Sequence, residues 1–158
     1  MEISSFGEKE CRNYLQEKRR LQLGAGDAHA VYQYFLRMQS KDPDFFHVMD
    51  VAEDGRLRNV FWADARSMVA YEPYRDAITF DTTYLTNRYK MLFAPFVGVN
   101  HHGESVLLGC GLLSKEDTET FVWLFKSWLC CMSYKPPNAI ITDQCKAMQN
   151  AIEEVFPQ

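Results

Sequence analysis

The sequence of 158 residues has no long apolar run, no cysteine pair at zinc-ligand spacing and no excess of positive charge. A membrane-spanning helix needs about 20 consecutive apolar residues, so the sequence predicts no membrane span. Zinc sites often use two cysteines separated by two residues, and none of the five cysteines has such a neighbour. With no secretory signal at its start, the chain is expected to be soluble and intracellular, with free thiols in a reducing compartment.

The charge balance limits how this chain can meet nucleic acid. Its formal net charge is -4, whereas DNA-binding surfaces neutralise phosphates with clustered lysine and arginine. Any contact with DNA is therefore expected to depend on local patches or on segments outside this sequence. Apolar residues make up 47% of the chain, a fraction that argues against a disordered protein.

The first 76 residues divide into a charged segment and a small folded unit. Residues 1–26 are mixed in charge and end on a Gly-Ala-Gly break. From Asp27, apolar residues recur every three or four positions and predict a helix. Two stretches of strand formers flank a Glu-Asp-Gly turn at 53–55 and predict a β-hairpin. With a short helix over 64–71, we expect residues 27–76 to form a helix, a hairpin and a linking helix.

From Ala77 the predicted elements follow the order strand, strand, strand, helix, strand, helix. Three antiparallel strands and a helical crossover allow the fourth strand to lie parallel beside the first. Pro95, inside the second strand, predicts an edge position or a bulge. The predicted fold class is α/β, with this series preceded by the helix and the hairpin.

Two of these strands run directly into an acid, the first into Asp81 and the fourth into Asp143. Ligands gather at the carboxyl ends of strands in such sheets, where two converging carboxylates repel until a divalent cation binds. Mg²⁺ prefers oxygen ligands, and paired ions about 4 Å apart stabilise in-line phosphoryl transfer. An aspartate after a strand is also a common turn former or helix cap, and this alternative remains open for both residues.

Other polar residues near these strands have two interpretations each. The hydroxyls of Thr82, Thr83 and Tyr84 can contact phosphate, or they can be ordinary strand-end groups. His101 and His102 are predicted to point apart in a turn, as poor joint ligands. Three further acids can stand in for a third carboxylate, although none lies where a triad requires it: Glu104, Glu116 and Glu119.

A set of short motifs follows a recognisable order along the chain. They are Asp-Thr-Thr-Tyr at 81–84 with Asn87 and Tyr89, then 93–103, 121–125 and Ile-Thr-Asp-Gln at 141–144. In this order they resemble the Mutator-like element transposase domain. Together with 61–66 they resemble, more narrowly, the plant FAR-RED IMPAIRED RESPONSE and far-red-related-sequence proteins, over roughly 23–158.

The resemblance implies a ribonuclease-H-like fold with an Asp, Asp, Glu triad. Asp81 matches the first acid and Asp143 the second, while the third lies downstream, after a helical insertion with a Cys/His motif. We therefore expect residues 77–158 to be the amino-terminal part of the domain, truncated at its carboxyl end. Zinc is expected only in full-length relatives, in an amino-terminal DNA-recognition domain and a carboxy-terminal SWIM finger.

The function implied by the resemblance is that of a nuclear regulator of transcription, not an enzyme, because the triad is incomplete. No cofactor is required, although Asp81 and Asp143 can hold Mg²⁺ or Mn²⁺. The expected partners are DNA, through segments of full-length relatives missing here, and related chains in homo- or heterodimers. Two alternatives stay open: a fragment of an active Mutator-like transposase, and a protein-interaction module that acts through an exposed sheet edge or helix faces.

Overall fold

The computed structural model describes residues 27–85 and 91–157, and their strands form one mixed sheet. The helices of this part are α1 (Asp27–Lys41), α2 (Ala65–Tyr74), α3 (Thr118–Cys131) and α4 (Lys146–Val155). The strands are β1 (Phe46–Val51), β2 (Leu57–Ala63), β3 (Ile78–Phe80), β4 (Thr83–Tyr84), β5 (Leu92–Val99), β6 (Ser105–Leu113) and β7 (Ile140–Ile141). The predicted α/β class is confirmed. The predicted segment 1–26 and the motif residues Asn87 and Tyr89 lie outside the described residues.

The sheet has the order β1-β2-β6-β5-β3-β7, and β4 pairs with β5. The hairpin β1–β2 is not a separate layer, because β2 pairs antiparallel with β6 through Val60↔Leu112 and Trp62↔Cys110. Gly55, in the hairpin turn, has a φ of 84°, a conformation that glycine adopts without steric cost. Within the described part of the chain, no helix is long and apolar enough to cross a membrane.

The strands β3, β5 and β6 form the predicted antiparallel meander. The register of β5 against β6 shifts between Pro95 and Val97, so the predicted bulge is confirmed. The edge position is wrong, since β5 lies between β3 and β6. Proline lacks the N–H that an interior strand needs, and a bulge at this point accommodates the missing donor.

The core has two apolar clusters on the two faces of the sheet. Consecutive residues of β2 point to opposite faces, with Phe61 in one cluster and Trp62 in the other. The α1 helix packs in the Trp62 cluster through Phe35. The larger cluster joins β3 and β5 to α3 and α4. Three aromatic residues of α3 belong to it, Phe121, Phe125 and Trp128, and Trp123 packs partly buried against it.

The crossover helix α3 lies close against the sheet. The ring of Trp128 stacks on Phe96 with centroids 4.9 Å apart, and its Nε1 donates to the Leu108 carbonyl at 3.1 Å. At Gly111, an added Cβ would come within 2.7 Å of a Leu124 methyl group. Glycine at this position therefore lets α3 approach β6.

Among the cysteines that the structure describes, Cys110 departs from the prediction of free thiols. Cys130, Cys131 and Cys145 are free, whereas Cys110, buried on β6, is disulfide-bonded. The prediction was wrong for Cys110 because pairing depends on the separation of two cysteines in space, which sequence spacing does not give.

Replacing the central aromatic ring of the larger cluster should strongly destabilise the fold. Phe96 is buried and its ring contacts Phe61, Phe80, Phe125 and Trp128. We expect Phe96→Ala to lower the free energy of unfolding by about 3–5 kcal/mol in urea titrations, because it removes buried area and leaves a cavity. The matched control Val69→Ala, at an 82% exposed residue, should change it by less than about 0.5 kcal/mol. Equal effects of the two changes would contradict this packing.

The imidazole of His47 lies among the rings that join α1 to the hairpin. It stacks on Phe35 with centroids 4.9 Å apart and meets Tyr32 edge-on at 6.5 Å. Burial lowers the pKa of His47 below its ordinary value, because the charged form loses hydration there. The folded chain therefore holds His47 neutral to a lower pH than the unfolded chain does.

This burial predicts a loss of stability in mild acid. As the pH falls below 6.5, the unfolded chain binds a proton at His47 before the folded chain does. The stabilising contribution of the neutral His47 is therefore lost as the pH falls from 6.5 through the lowered pKa of the folded chain. We expect His47→Phe to reduce the loss in free energy of unfolding between pH 7.5 and pH 5.5, measured by urea titration. A variant with the same pH dependence as the natural chain would contradict the assignment.

Candidate functional site

The candidate site lies where β3 and β7 end. These two strands pair in parallel, with Ile78 opposite Ile140 and Thr79 opposite Ile141. Continued by two residues, the same register sets Asp81 opposite Asp143. The structure thus confirms the prediction that the first and fourth strands of this region are neighbours, and it places the two acids at the same end of the sheet.

Each acid follows a strand that the core holds in place. Ile78 and Phe80 of β3 are buried, and the ring of Phe80 lies 4.9 Å from that of Phe125 on α3. Beyond them, Asp81 and Asp143 are exposed. Buried apolar side chains therefore fix β3, Ile140 of β7 packs partly buried against the same core, and the acids extend beyond the core into solvent.

The carboxylates make local hydrogen bonds with their own segments. One oxygen of Asp81 accepts from the Thr82 N–H at 2.8 Å, and one oxygen of Asp143 accepts from the Cys145 N–H at 3.0 Å. The helix α4 has Cys145, not Asp143, at its N-cap, so Asp143 forms a turn before the helix and does not cap it. The other oxygen of each carboxylate accepts no hydrogen bond from the residues that the structure describes.

A third acid lies between the segments that follow the two aspartates. The Tyr84 hydroxyl donates to one oxygen of Glu116 at 2.9 Å, and the Cys145 thiol lies 3.9 Å from the other. Tyr84 comes three residues after Asp81, and Cys145 two residues after Asp143. Glu116 therefore connects the two sides of the candidate site.

The electrostatics of Tyr84 follow from this contact. The hydrogen bond to Glu116, and next the negative charge of that carboxylate, raise the pKa of Tyr84 above its ordinary value. The ring itself is 63% exposed. Of its neighbours, Thr82 is half-buried and Thr83, on β4, is exposed, and all three predicted contact residues lie in the segment that directly follows Asp81.

Sequence reasoning grouped Glu116 with two other spare acids, which the structure separates from it. Glu104 lies in the turn between β5 and β6, where the Asn100 side chain reaches it, and Glu119 lies in the first turn of α3. No local pattern distinguishes Glu116, because its partner Tyr84 is 32 positions away. Tyr84 can be recognised as the partner of Glu116 only in the folded chain, where β4 pairs with β5.

The histidine pair takes an arrangement that differs from the prediction. His101 and His102 lie in the β5–β6 turn, as expected, but their ring centroids are only 4.0 Å apart. The prediction that the rings point apart was wrong, because the alternation of a strand does not extend into a tight turn. The turn itself is held by the Asn100 side chain, whose oxygen accepts from the N–H groups of His102 and Glu104.

The donor set of the site suits a hard cation with few protein ligands. Across residues 27–85 and 91–157, no three His, Cys, Asp or Glu side chains are close enough to one another to hold a metal ion. Asp81 and Asp143 supply two exposed carboxylates. Mg²⁺ is commonly held by one or two carboxylates, with water or phosphate as its remaining ligands, so these residues fit such an ion.

Comparison with known proteins places this chain in a family. The MULE transposase domain matches residues 77–158. The chain is 42% identical over 152 residues to Protein FAR1-RELATED SEQUENCE 5 and 43% identical over 155 residues to Protein FAR-RED IMPAIRED RESPONSE 1, both of Arabidopsis thaliana. A third relative from that plant, Protein FAR1-RELATED SEQUENCE 6, is 46% identical over 138 residues.

These alignments cover 96%, 98% and 87% of this chain but only 19%, 19% and 20% of the three relatives. The chain therefore spans about a fifth of the length of the curated relatives it matches. No solved structure matches it. The domain match and the extended identity show that this chain belongs to the FAR1-related family of proteins that carry a MULE transposase domain.

Proposed function

We propose that this chain is part of a transposase-derived nuclear regulator of transcription that acts without a complete catalytic triad. The observation that carries the proposal is the parallel pairing of β3 with β7, which sets Asp81 and Asp143 at one end of a sheet in a family named for a transposase. One relative is named for an impaired far-red response, and we extend that type of regulatory role to this chain.

The proposed fold family is ribonuclease-H-like. Support comes from the antiparallel meander of β3, β5 and β6, followed by the crossover helix α3 and the parallel strand β7. This arrangement leaves the carboxyl ends of β3 and β7 adjacent, which is where such sheets gather ligands.

At the acidic end of the sheet, we propose that Asp81 and Asp143 hold Mg²⁺ or Mn²⁺ weakly. When bound, a divalent cation neutralises the repulsion between the two carboxylates and attracts phosphate oxygens. Thr82, Thr83 and Tyr84 follow Asp81 along the chain, and their hydroxyls can donate to a phosphate backbone, provided that the Tyr84 hydroxyl releases Glu116, to which it donates here. The chain would thus contact DNA without cutting it.

Nuclear location and pairing with related chains are part of the same proposal. Their support is the family relationship alone, so they call for a direct experiment. The full-length protein, fused to a fluorescent marker and expressed in plant cells, should accumulate in the nucleus and change the output of a promoter to which it is tethered. Exclusion from the nucleus, or an unchanged promoter output, would contradict a regulatory role.

A fragment of an active transposase is the second candidate, and the exposure of both acids favours it. Working phosphoryl-transfer sites need carboxylates that solvent-borne cations and substrate can reach, and Asp81 and Asp143 meet that need. This candidate predicts metal-dependent cleavage once the downstream acid is present, whereas the regulator predicts none in any form of the chain.

Removing one acid should weaken cation binding without unfolding the chain. We expect the 158-residue chain to bind Mn²⁺ in calorimetric titrations and Asp81→Asn to bind it more weakly, because the change removes one of the two carboxylates that hold the cation. The matched control Asp44→Asn, at an exposed aspartate in a loop on the other side of the hairpin, should bind as the natural chain does. Retention of full affinity by Asp81→Asn would refute the site.

DNA cleavage by the chain separates the two candidates. We expect the purified chain not to nick duplex DNA when the concentration of Mg²⁺ or Mn²⁺ is varied 10-fold around the millimolar range typical of such assays. The reason is that two carboxylates stabilise the transition state less than three ligands do. Robust cleavage that disappears in Asp81→Asn would instead establish the active-transposase reading.

The exposed ring of Tyr84 provides a test of DNA contact. We expect Tyr84→Ala to weaken binding of a short duplex several-fold in anisotropy titrations, whereas Phe93→Leu, a buried change on the neighbouring strand, should leave the affinity unchanged. Tyr84→Phe separates the hydroxyl from the ring, because it keeps the apolar surface and removes the bond to Glu116. Equal affinities for all three variants would remove Tyr84 from the proposed contact.

A further inference from the structure

The pairing that brings the acids together is itself very short. Only two residue pairs join β3 to β7, Ile78 with Ile140 and Thr79 with Ile141, and Ile141 is 55% exposed. A slip of one residue would displace Asp143 along the strand by about 3.3 Å relative to Asp81 and turn its side chain to the other face. Something outside the two-residue ladder must therefore fix the register.

A group of hydrogen bonds at the opposite ends of these strands meets this need. The Arg75 Nε donates to the Pro136 carbonyl at 2.7 Å, and the Asn138 side-chain amide donates to the Asp76 carboxylate at 2.9 Å. We call these four residues the clasp. They join the turn that enters β3 to the loop that enters β7.

The backbone reinforces the clasp on both sides. The Asn138 N–H donates to the Arg75 carbonyl at 2.9 Å, and the Ile78 N–H donates to the Ala139 carbonyl at 3.0 Å. One helical turn earlier, the Tyr71 hydroxyl donates to the Lys135 carbonyl at 2.7 Å. These bonds join residues more than 60 positions apart, so they hold the two strand entries in one relative position.

We propose that Arg75 and Asn138 are positioning residues, which set the register of β3 against β7 and thereby hold Asp81 and Asp143 level for a divalent cation. The inference rests on the cation binding proposed above. Asp81 comes three positions after Ile78, and Asp143 comes three positions after Ile140, so a register fixed at the strand entries is carried unchanged to the acids. Arg75 and Asn138 lie at the strand entries and not at the acids, so neither of them would contact the cation.

The test compares cation affinity with stability in the 158-residue chain. We expect the double variant Arg75→Ala with Asn138→Ala to bind Mn²⁺ about 10-fold more weakly, the size of effect seen when residues that orient metal ligands are removed. Its cross-strand nuclear Overhauser contacts between residues 79 and 141 should weaken as well. Arg75→Lys, which keeps a donor near the Pro136 carbonyl, should recover part of the affinity.

Two controls separate positioning from general destabilisation. Val31→Ala, in the α1 cluster on the other face, should lower stability while leaving Mn²⁺ affinity unchanged. Arg58→Ala removes an arginine ion pair on the hairpin, at 3.1 Å from Asp50, and should leave both the affinity and the 79–141 contacts unchanged. Should the double variant fail to fold, Asn138→Ala alone gives the comparison, because it keeps the Arg75 bond to the Pro136 carbonyl.

The outcomes distinguish this inference from the proposed function. Unchanged Mn²⁺ affinity in a folded clasp variant would overturn the positioning role and leave the two-carboxylate site standing. Weakened affinity with intact 79–141 contacts would also overturn it, since the register would not be the cause. A natural chain that does not bind Mn²⁺ at all would overturn the proposed cation site and, with it, this inference.

Discussion

The parallel pairing of β3 with β7 is the interaction on which the candidate site depends. It is a small contact between strands of three and two residues, and the elements around it make it stable. Helix α3 connects β6 to the edge strand β7. Its aromatic residues pack on the meander, Trp128 on Phe96 and Phe125 on Phe80. Because this packing fixes where the crossover ends, β7 can join the sheet only beside β3.

At this end of the sheet the buried side chains are apolar and the charged side chains are exposed. The apolar residues Ile78 and Phe80 are buried, and the acids that follow them are exposed. Water screens exposed carboxylates, so holding Asp81 and Asp143 on one edge costs the fold little compared with burying the same pair. The fold therefore accommodates both acids whether or not they bind a cation, and activity must be assigned from chemistry measured at the site.

Local pattern predicted most of the elements, and the departures have physical causes. The third strand of the predicted series is β6, and Asp117 caps α3 by accepting from the Thr120 N–H. The fourth strand of that series, β7, pairs only at 140 and 141. Asn138 and Ala139 instead bond to the turn that enters β3, a use of backbone groups that no sequence period reveals.

The sequence by itself determined the class of fold, the order of the elements apart from the short strand β4, and the presence of an acid after each of two short strands. Those features follow from periodicity and turn residues, which act between neighbours along the chain. Only the tertiary structure decided the register of β3 with β7, the placement of Glu116 between Tyr84 and Cys145, and the bonded state of Cys110. Each of these depends on contacts through space between residues far apart in sequence, and local preferences carry no information about such contacts.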